Sequence, residues 1–457
     1  MSRGPASIVR PSLRTAELLW AVAYRCLLVA IVLGPSSLSF TIAGRGSDWT
    51  RDPVIRVVDA PLFVIAALLV VPVLRRATSA FACLMVRRRT VSSIELAFLA
   101  LTLMVAWVVL SWAMHPRAIG GLLVVRLIAV LGIVDLINRS TVAQLAVVIK
   151  AMVGLVVFEA LLCVAQLIVD GPVGFGVLGE LADPFNRTGP WRAPTGTSYY
   201  PYPLSAVALL NLGLVLWAVD RRFIGRWWAF AGAGAAGILV GTGYSVVGAA
   251  IAAAVVVAFA LRRVPPRGVR VCCSAGIALA LFLAAFAVTA GALDEGWRWK
   301  GERSASTDAA VASSGRSGQL AAGLAMAKRW PVLGIGAGNF AMVREAHHEF
   351  DAVSSDAQIT HSMPVLLAVE AGFPALGLFA LSLGLLAWQR LRTVAVVGAS
   401  LSGYVVGDLM HWYSGFGLLF LGVWLGFLMA SPDVTDDTDD TSVRPAARRP
   451  PAALWTS

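Results

Sequence analysis

The sequence predicts an all-α polytopic membrane protein, with about 12 transmembrane helices and one large extracytoplasmic loop that contains a short helix. Three observations lead there. Of its 457 residues, 58% are hydrophobic and only 14% are charged, whereas a soluble chain carries about 25% charged residues. Apolar runs of about 18 or more residues recur, each long enough to cross ~30 Å of hydrocarbon. The stretch between 292 and 362 alone breaks this rhythm, being long and polar where the other connections are short.

Taken in order, spans are expected at 18–34, 57–74, 93–112, 118–138, 142–169, 203–219, 228–244, 246–261, 271–290, 363–388, 394–412 and 414–431. The first begins near Leu18 and has no convincing small-residue cleavage site after it, so it reads as a retained helix rather than a signal peptide. With the N-terminus in the cytoplasm, the basic turns RRATSAFACLMVRRR, DRRFIGRW, RRVPPRGVR and QRLR and the turn at Arg139 fall inside, and the short loops on the opposite side hold few Lys or Arg. That asymmetry follows the positive-inside rule. It places both termini inside and the 292–362 loop outside. One membrane domain over 1–431, with 292–362 inserted, is therefore expected. The acidic and Pro/Arg-rich tail 432–457 cannot bury a core and reads as disordered and cytoplasmic.

The net charge of +11 does not point to nucleic acid, because the cations are spent on short turns. The five cysteines lie in or beside spans without metal-cluster spacing and read as small packing residues.

Within the long loop, Ser317 to Trp330 reads as a short helix. Its apolar stripe is Leu320, Ala321, Leu324, Ala325 and Ala327, with Lys328 and Arg329 in the last turn and Pro331 beyond. Arg316 would stand at its start, where a cation is unfavourable unless an anion sits beside it. The next run, PVLGIGAGNF, alternates Gly334, Gly336 and Gly338. Such a turn brings backbone N–H groups close to a ligand and can form an anion nest, although a plain tight turn explains the pattern as well. His361 is expected at the mouth of the tenth span, with Glu370 about two and a half turns deeper on a similar side. A carboxylate within a span costs roughly 2.5–3.5 kcal/mol on insertion scales, so it counts as a functional candidate facing a polar cavity. His347, His348, Glu349 and Asp351 read as a solvated loop cluster rather than a metal site.

Arg25, Arg126, Asp135, Lys150, Glu159 and Asp408 are further charges within spans, with Arg126 expected to pair with Glu159 or Asp135. Ahead of the sixth span, GPWRAPTGTSYYPYPLSA sets Arg192 among Trp191, Tyr199, Tyr200 and Tyr202, residues suited to stacking on sugars or to an interfacial belt.

The run from Arg316 through PVLGIGAGNF to HSMPVLLAVEAGFPALG resembles the O-antigen ligase and O-antigen polymerase family of bacterial membrane glycosyltransferases. Arg316, Pro331, Gly334, Gly336, Phe340, His361, Glu370, Gly372 and Gly377 carry the likeness. In the loop before the sixth span Arg192, Gly196, Thr197 and Pro201 match, while Tyr202 replaces an asparagine. In GTGYSVVGAA, Ser245 matches and Val246 stands where the family has an arginine. The resemblance implies a GT-C-like fold in the bacterial cytoplasmic (inner) membrane. It also implies transfer of a glycan from a polyprenyl-pyrophosphate-linked donor to a glycan, lipid or protein acceptor, without metal or cofactor. On that reading Arg316 and His361 are the catalytic pair. Arg192, Glu370, Gly336, Asn339 and Arg126 contact substrate, with Arg192, Arg126 or Arg25 replacing the missing arginine. The competing expectations are a transporter or flippase of a charged lipid-linked substrate, dependent on Arg126, Asp135 and Glu159, and a non-catalytic relative in cell-envelope assembly.

Overall fold

The computed structural model describes residues 13–41, 53–86, 91–188, 191–198, 201–220, 223–244, 249–250, 252–253, 255, 269–298, 307–347, 360, 362–407 and 413–430. The protein is an all-α multi-pass membrane protein. Its helices are α1 (Leu13–Leu33), α2 (Asp59–Val86), α3 (Ser93–Met114), α4 (Ala118–Arg139), α5 (Val142–Val169), α6 (Pro201–Asp220), α7 (Arg226–Thr242), α8 (Val269–Ala292), α9 (Thr307–Arg329), α10 (Phe340–Ala346), α11 (Met363–Gly407) and α12 (Gly415–Met429). Two short antiparallel hairpins join them: β1 (Ser39–Thr41) with β2 (Val54–Arg56), and β3 (Phe185–Thr188) with β4 (Trp191–Pro194).

Among the described residues, seven helices are long and apolar enough to cross a membrane, with shorter apolar helices at Gly276–Ala292 and Gly415–Met429. These coincide with nine of the expected spans. The expected 246–261 span and the 432–457 tail lie largely or wholly outside the described residues. The expected break between 388 and 394 is absent, and α11 runs helical through it. WQRLRTVAV contains neither glycine nor proline, so no local chemistry ends the helix there.

Local signals set several helix starts. Ser92 with Glu95, and Thr141 with Gln144, form capping boxes that satisfy the first amides of α3 and α5. Among the seven long spans, α4 and α6 are the most enclosed, with 83% and 89% buried against 22% for α1, and the shorter α12 is buried throughout. Helix α12 lies on α4 through Gly422 and Gly426, where an added Cβ would lie 3.3 and 2.7 Å from the Ile133 and Ile137 side chains. Small residues four apart allow this approach, which dispersion then rewards. Gly237 and Gly241 bring α7 onto α8 in the same way.

At one end of the bundle the Asp135 carboxylate accepts from Arg76 and, at 2.9 Å, from Arg139, and Arg76 stacks 4.2 Å over Phe98. Gly336, Asn339, Glu370 and Arg126 lie toward the other end, around the 331–339 turn.

Candidate active site

The glycine-rich turn and the glutamate segment of α11 form a single backbone clasp, and Pro374 is the reason. Proline has no N–H, so the Glu370 carbonyl, four residues earlier, loses its helical donor. Gly336 N–H supplies one at 3.0 Å, and the Ser111 hydroxyl lies 2.6 Å from the same carbonyl and from that of Leu333. One residue back there is an exchange: Phe373 N–H donates to Pro331 O at 2.8 Å, and Ile335 N–H donates to Val369 O at 2.9 Å. Trp107 Nε1–H reaches Ala371 O at 3.0 Å and Val332 O at 3.1 Å. Gly372 has φ +82°, and a Cβ there would sit 2.0 Å from Val332 O. The glycines of both sequence runs therefore serve one joint. The amides of Ile335 and Gly336 are consumed by α11 carbonyls, so at these two positions the turn is no anion nest.

Asn339 is 3% exposed and locks the turn from within, its Nδ2 donating to Ile335 O at 3.0 Å and His115 O at 3.1 Å. Glu370 lies beneath, 1% exposed. Its Oε1 accepts from the Tyr413 hydroxyl and, at 3.4 Å, from Phe340 N–H. Neither side chain points to open solvent.

Tyr413 extends the network. Its carbonyl accepts from Arg126 Nη1; Arg126 Nε donates to Asp59 Oδ1 at 2.7 Å, and Nη2 donates to Val54 O at 3.0 Å. The expected partners of Arg126, Glu159 or Asp135, are thus replaced by Asp59, which opens α2 and also accepts from Arg56 N–H at 2.7 Å. Asp59 was not among the sequence candidates, because a helix-initial aspartate reads as an ordinary cap. Arg126 is 4% exposed with its donors committed to protein acceptors. Arg126→Met alone leaves Asp59 buried without its cation and should lower stability by about 3–5 kcal/mol. Adding Asp59→Asn should restore most of the loss, as read by thermal unfolding of the detergent-solubilised protein.

A second element descends alongside α5. Arg192 on β4 pairs with Asp170 at the helix end. The Pro194 carbonyl lies 3.9 Å from Cys163 Sγ, and Thr197 N–H donates to Glu159 Oε2 at 3.0 Å while its hydroxyl donates to Oε1. Gly196, at φ +59°, passes so close that a Cβ would lie 2.1 Å from Glu159 Oε2. Glu159 is therefore the anchor of the arginine loop. Arg192 keeps 48% of its side chain exposed, and the adjacent carboxylate raises its pKa further. Ala193 and Tyr244 share a small core with Tyr202, Leu293 and Trp297, and Trp297 Nε1–H donates to Gly241 O at 3.1 Å. The Arg192 strand thus rests on the turn that precedes Val246, which itself lies outside the described residues.

Helix α9 begins ten residues before the expected start, so Arg316 stands in its interior. Its buried face is Gln319, Ala322, Gly323, Met326 and Ala327, while Leu320 and Leu324 remain 39% and 42% exposed. The expected stripe is corrected for a steric reason. Gly323 meets Val365 and Thr360 so closely that a Cβ would lie 2.8 Å from Val365 Cγ1, and larger leucines cannot occupy that face. The helix thereby packs against the start of α11. His361 and the Arg316 side chain lie outside the described residues; Thr360, next to His361 in the chain, is fully buried and lies beside Gly323 of α9.

The geometry thus joins Gly336, Asn339, Glu370 and Arg126 in one buried network and holds Arg192 on a separate ledge. Helix α6 touches both α7 and α11. Residues 228–380 match the O-antigen ligase family model. The matched segment runs from α7 into α11 and contains Arg316, the clasp, His361 and Glu370. No curated protein matched the sequence. Sequence reading missed Trp107, Ser111 and Tyr413, which come from outside this segment; the pairing of Glu370 with Pro374 at a four-residue spacing was the one signal that the carbonyl there needed a foreign donor.

Proposed function

We propose that this protein transfers a glycan from a polyprenyl-pyrophosphate-linked donor to a glycan, lipid or protein acceptor at the outer face of the cytoplasmic membrane. The observation that carries this reading is the O-antigen ligase match, which spans both Arg316 and His361. The basic turns favour placing the clasp end of the bundle outside, with both termini in the cytoplasm.

In this reaction the acceptor hydroxyl oxygen attacks the anomeric carbon, and the bond from that carbon to the pyrophosphate oxygen breaks. The pyrophosphate leaves with the electron pair. Arg316, with Arg192 as the second cation, stabilises the negative charge that develops there. His361 takes the proton of the acceptor hydroxyl. No step calls for a metal. Glu370, Gly336, Asn339 and Arg126 act one level back, holding the start of α11 against the glycine turn. The exposed guanidinium of Arg192, next to Ala193 that packs on Tyr244, supports its serving in place of the absent arginine. A transporter would need mobile intramembrane charges, whereas Arg126, Asp135 and Glu159 each have fixed protein partners.

Deletion of the gene followed by glycan profiling tests the proposal. Loss of chain length with attachment intact identifies a polymerase, and accumulation of long lipid-linked chains identifies a ligase. An unchanged profile removes the reading.

A further inference from the structure

Helices α9 and α11 meet at a glycine, and the meeting point lies beside the segment that holds His361. A Cβ at Gly323 would lie 2.8 Å from Val365 Cγ1, 3.4 Å from Thr360 Cγ2 and 3.5 Å from Thr360 Cβ. Thr360 immediately precedes His361 in the chain, and Val365 follows it by four residues. One glycine therefore touches the chain on both sides of His361. Thr360, Met363 and Leu366 are 0%, 2% and 0% exposed, which leaves that segment little room to give way. On the other helix, Arg316 precedes Gly323 by seven residues, which is two turns and about 10 Å along α9, at a position on the same face.

A second tie lies further along both helices. Phe373 N–H donates to Pro331 O at 2.8 Å, and the step from Gly323 to Pro331 equals the step from Val365 to Phe373. The two helices thus run alongside in the same direction, joined at the clasp and again at Gly323. With the clasp as pivot, the Gly323 contact sets the angle of α9. Carbon atoms in contact stand about 3.5–4.0 Å apart, so a methyl group at 323 would drive the helices apart by about 1 Å. Val365 cannot turn aside easily, because a β-branched side chain in a helix has one favoured rotamer. Counted from Pro331, Arg316 is nearly twice as far along as Gly323, so the helix would be displaced by about 2 Å there. If the Thr360 segment yields instead, His361 moves. Either way the separation changes.

We infer that Gly323 is a positioning residue for glycan transfer: its bare backbone, seated against Thr360 and Val365, sets the separation between the helix that carries Arg316 and the chain at His361. The contact is not one that stability alone would select. Gln319 Oε1, one turn before Gly323, and Thr360 Oγ1 are both buried without a hydrogen-bond partner, and an apolar residue at either position would remove that penalty. The assignment rests on the glycan-transfer reading. It goes beyond it in naming a residue that touches no reacting atom and yet governs the rate, since a misplacement of about 1 Å can cost about 10²-fold.

The test expresses the full-length protein and its variants at matched levels in the gene-deletion strain. It reads the rate of glycan transfer there and the thermal unfolding of each purified variant. Gly323→Ala should lower the rate by about 10²-fold. Its unfolding temperature should stay near that of the unsubstituted protein, because alanine is the better helix former and offsets the wedge. Val365→Ala removes the Cγ atom that the new methyl group strikes, so Gly323→Ala combined with Val365→Ala should regain the rate of Val365→Ala alone. Leu324→Ala, at a position 42% exposed on the same helix, should transfer normally. Full rate in Gly323→Ala overturns the assignment, as does a double variant that stays slow, or a rate that merely follows unfolding temperature across the series. If the unsubstituted copy restores no glycan to the deletion strain, the glycan-transfer reading itself has failed and this assignment falls with it.

Discussion

His361→Ala and Arg316→Ala are each expected to lower glycan transfer by about 10²–10⁴-fold, the range for losing a general base or a preorganised charge on the leaving group. Expression, membrane insertion and thermal unfolding should stay near those of the unsubstituted protein. Helix α9 is anchored through Gln319, Ala322, Gly323, Met326 and Ala327, and these contacts remain when Arg316 is truncated. Arg316→Lys should recover part of the rate, because the charge returns without the fork of donors that matches a phosphate. His361→Gln should recover little, since an amide can hydrogen-bond to the acceptor hydroxyl but cannot take its proton at neutral pH. Arg192→Ala is expected to fall between, acting mainly on donor affinity. If both alanine variants transfer glycan at the normal rate, the enzyme reading is wrong.

Gly372→Val should be the most destructive substitution outside the reacting groups. The new side chain needs a left-handed backbone at φ +82°, costing about 1–2 kcal/mol for an L-residue and more when β-branched. It also meets the Val332 carbonyl at 2.0 Å, and backbone cannot step aside as a side chain does. The clasp must open. The Ile335–Val369, Gly336–Glu370 and Phe373–Pro331 hydrogen bonds go with it, each worth about 1 kcal/mol net. A loss of about 4–5 kcal/mol in thermal or denaturant unfolding follows, along with loss of transfer, because the α11 entrance carries His361. Gly377→Ala provides the contrast within the same motif. Nothing lies within 4 Å of its Cβ direction, and alanine is the better helix former by about 1 kcal/mol, so it should be neutral or slightly stabilising. Equal damage from both would mean that the clasp is not what this motif builds.

These outcomes separate two roles that the residue pattern merges. Gly336, Asn339, Glu370, Gly372 and Gly377 sit close together in the chain and invite a single assignment to substrate. In space the first four are joint pieces or buried bridge pieces, and Gly377 is simply helix.

Much of this protein was legible in its residues. Apolar run length placed the spans around α1 to α6 and the first part of α11, because crossing hydrocarbon is a local requirement that each segment meets alone. The capping boxes at Ser92 and Thr141 and the basic last turn of α9 are equally local. The partners were not legible. That Arg126 joins Asp59 rather than Glu159, that Glu159 holds Thr197, and that Gly336 serves the Glu370 carbonyl depend on which helix ends meet. A charge in a span announces that it needs a counterpart, but several of the right sign were available, and only the packing of α2, α4, α5 and α11 chose among them. Sequence settled where the chain crosses the membrane and which residues are chemically capable; the tertiary structure decided which of these are spent on holding it together, since burial and distance set the energy of a polar group and neither is a property of the residue itself.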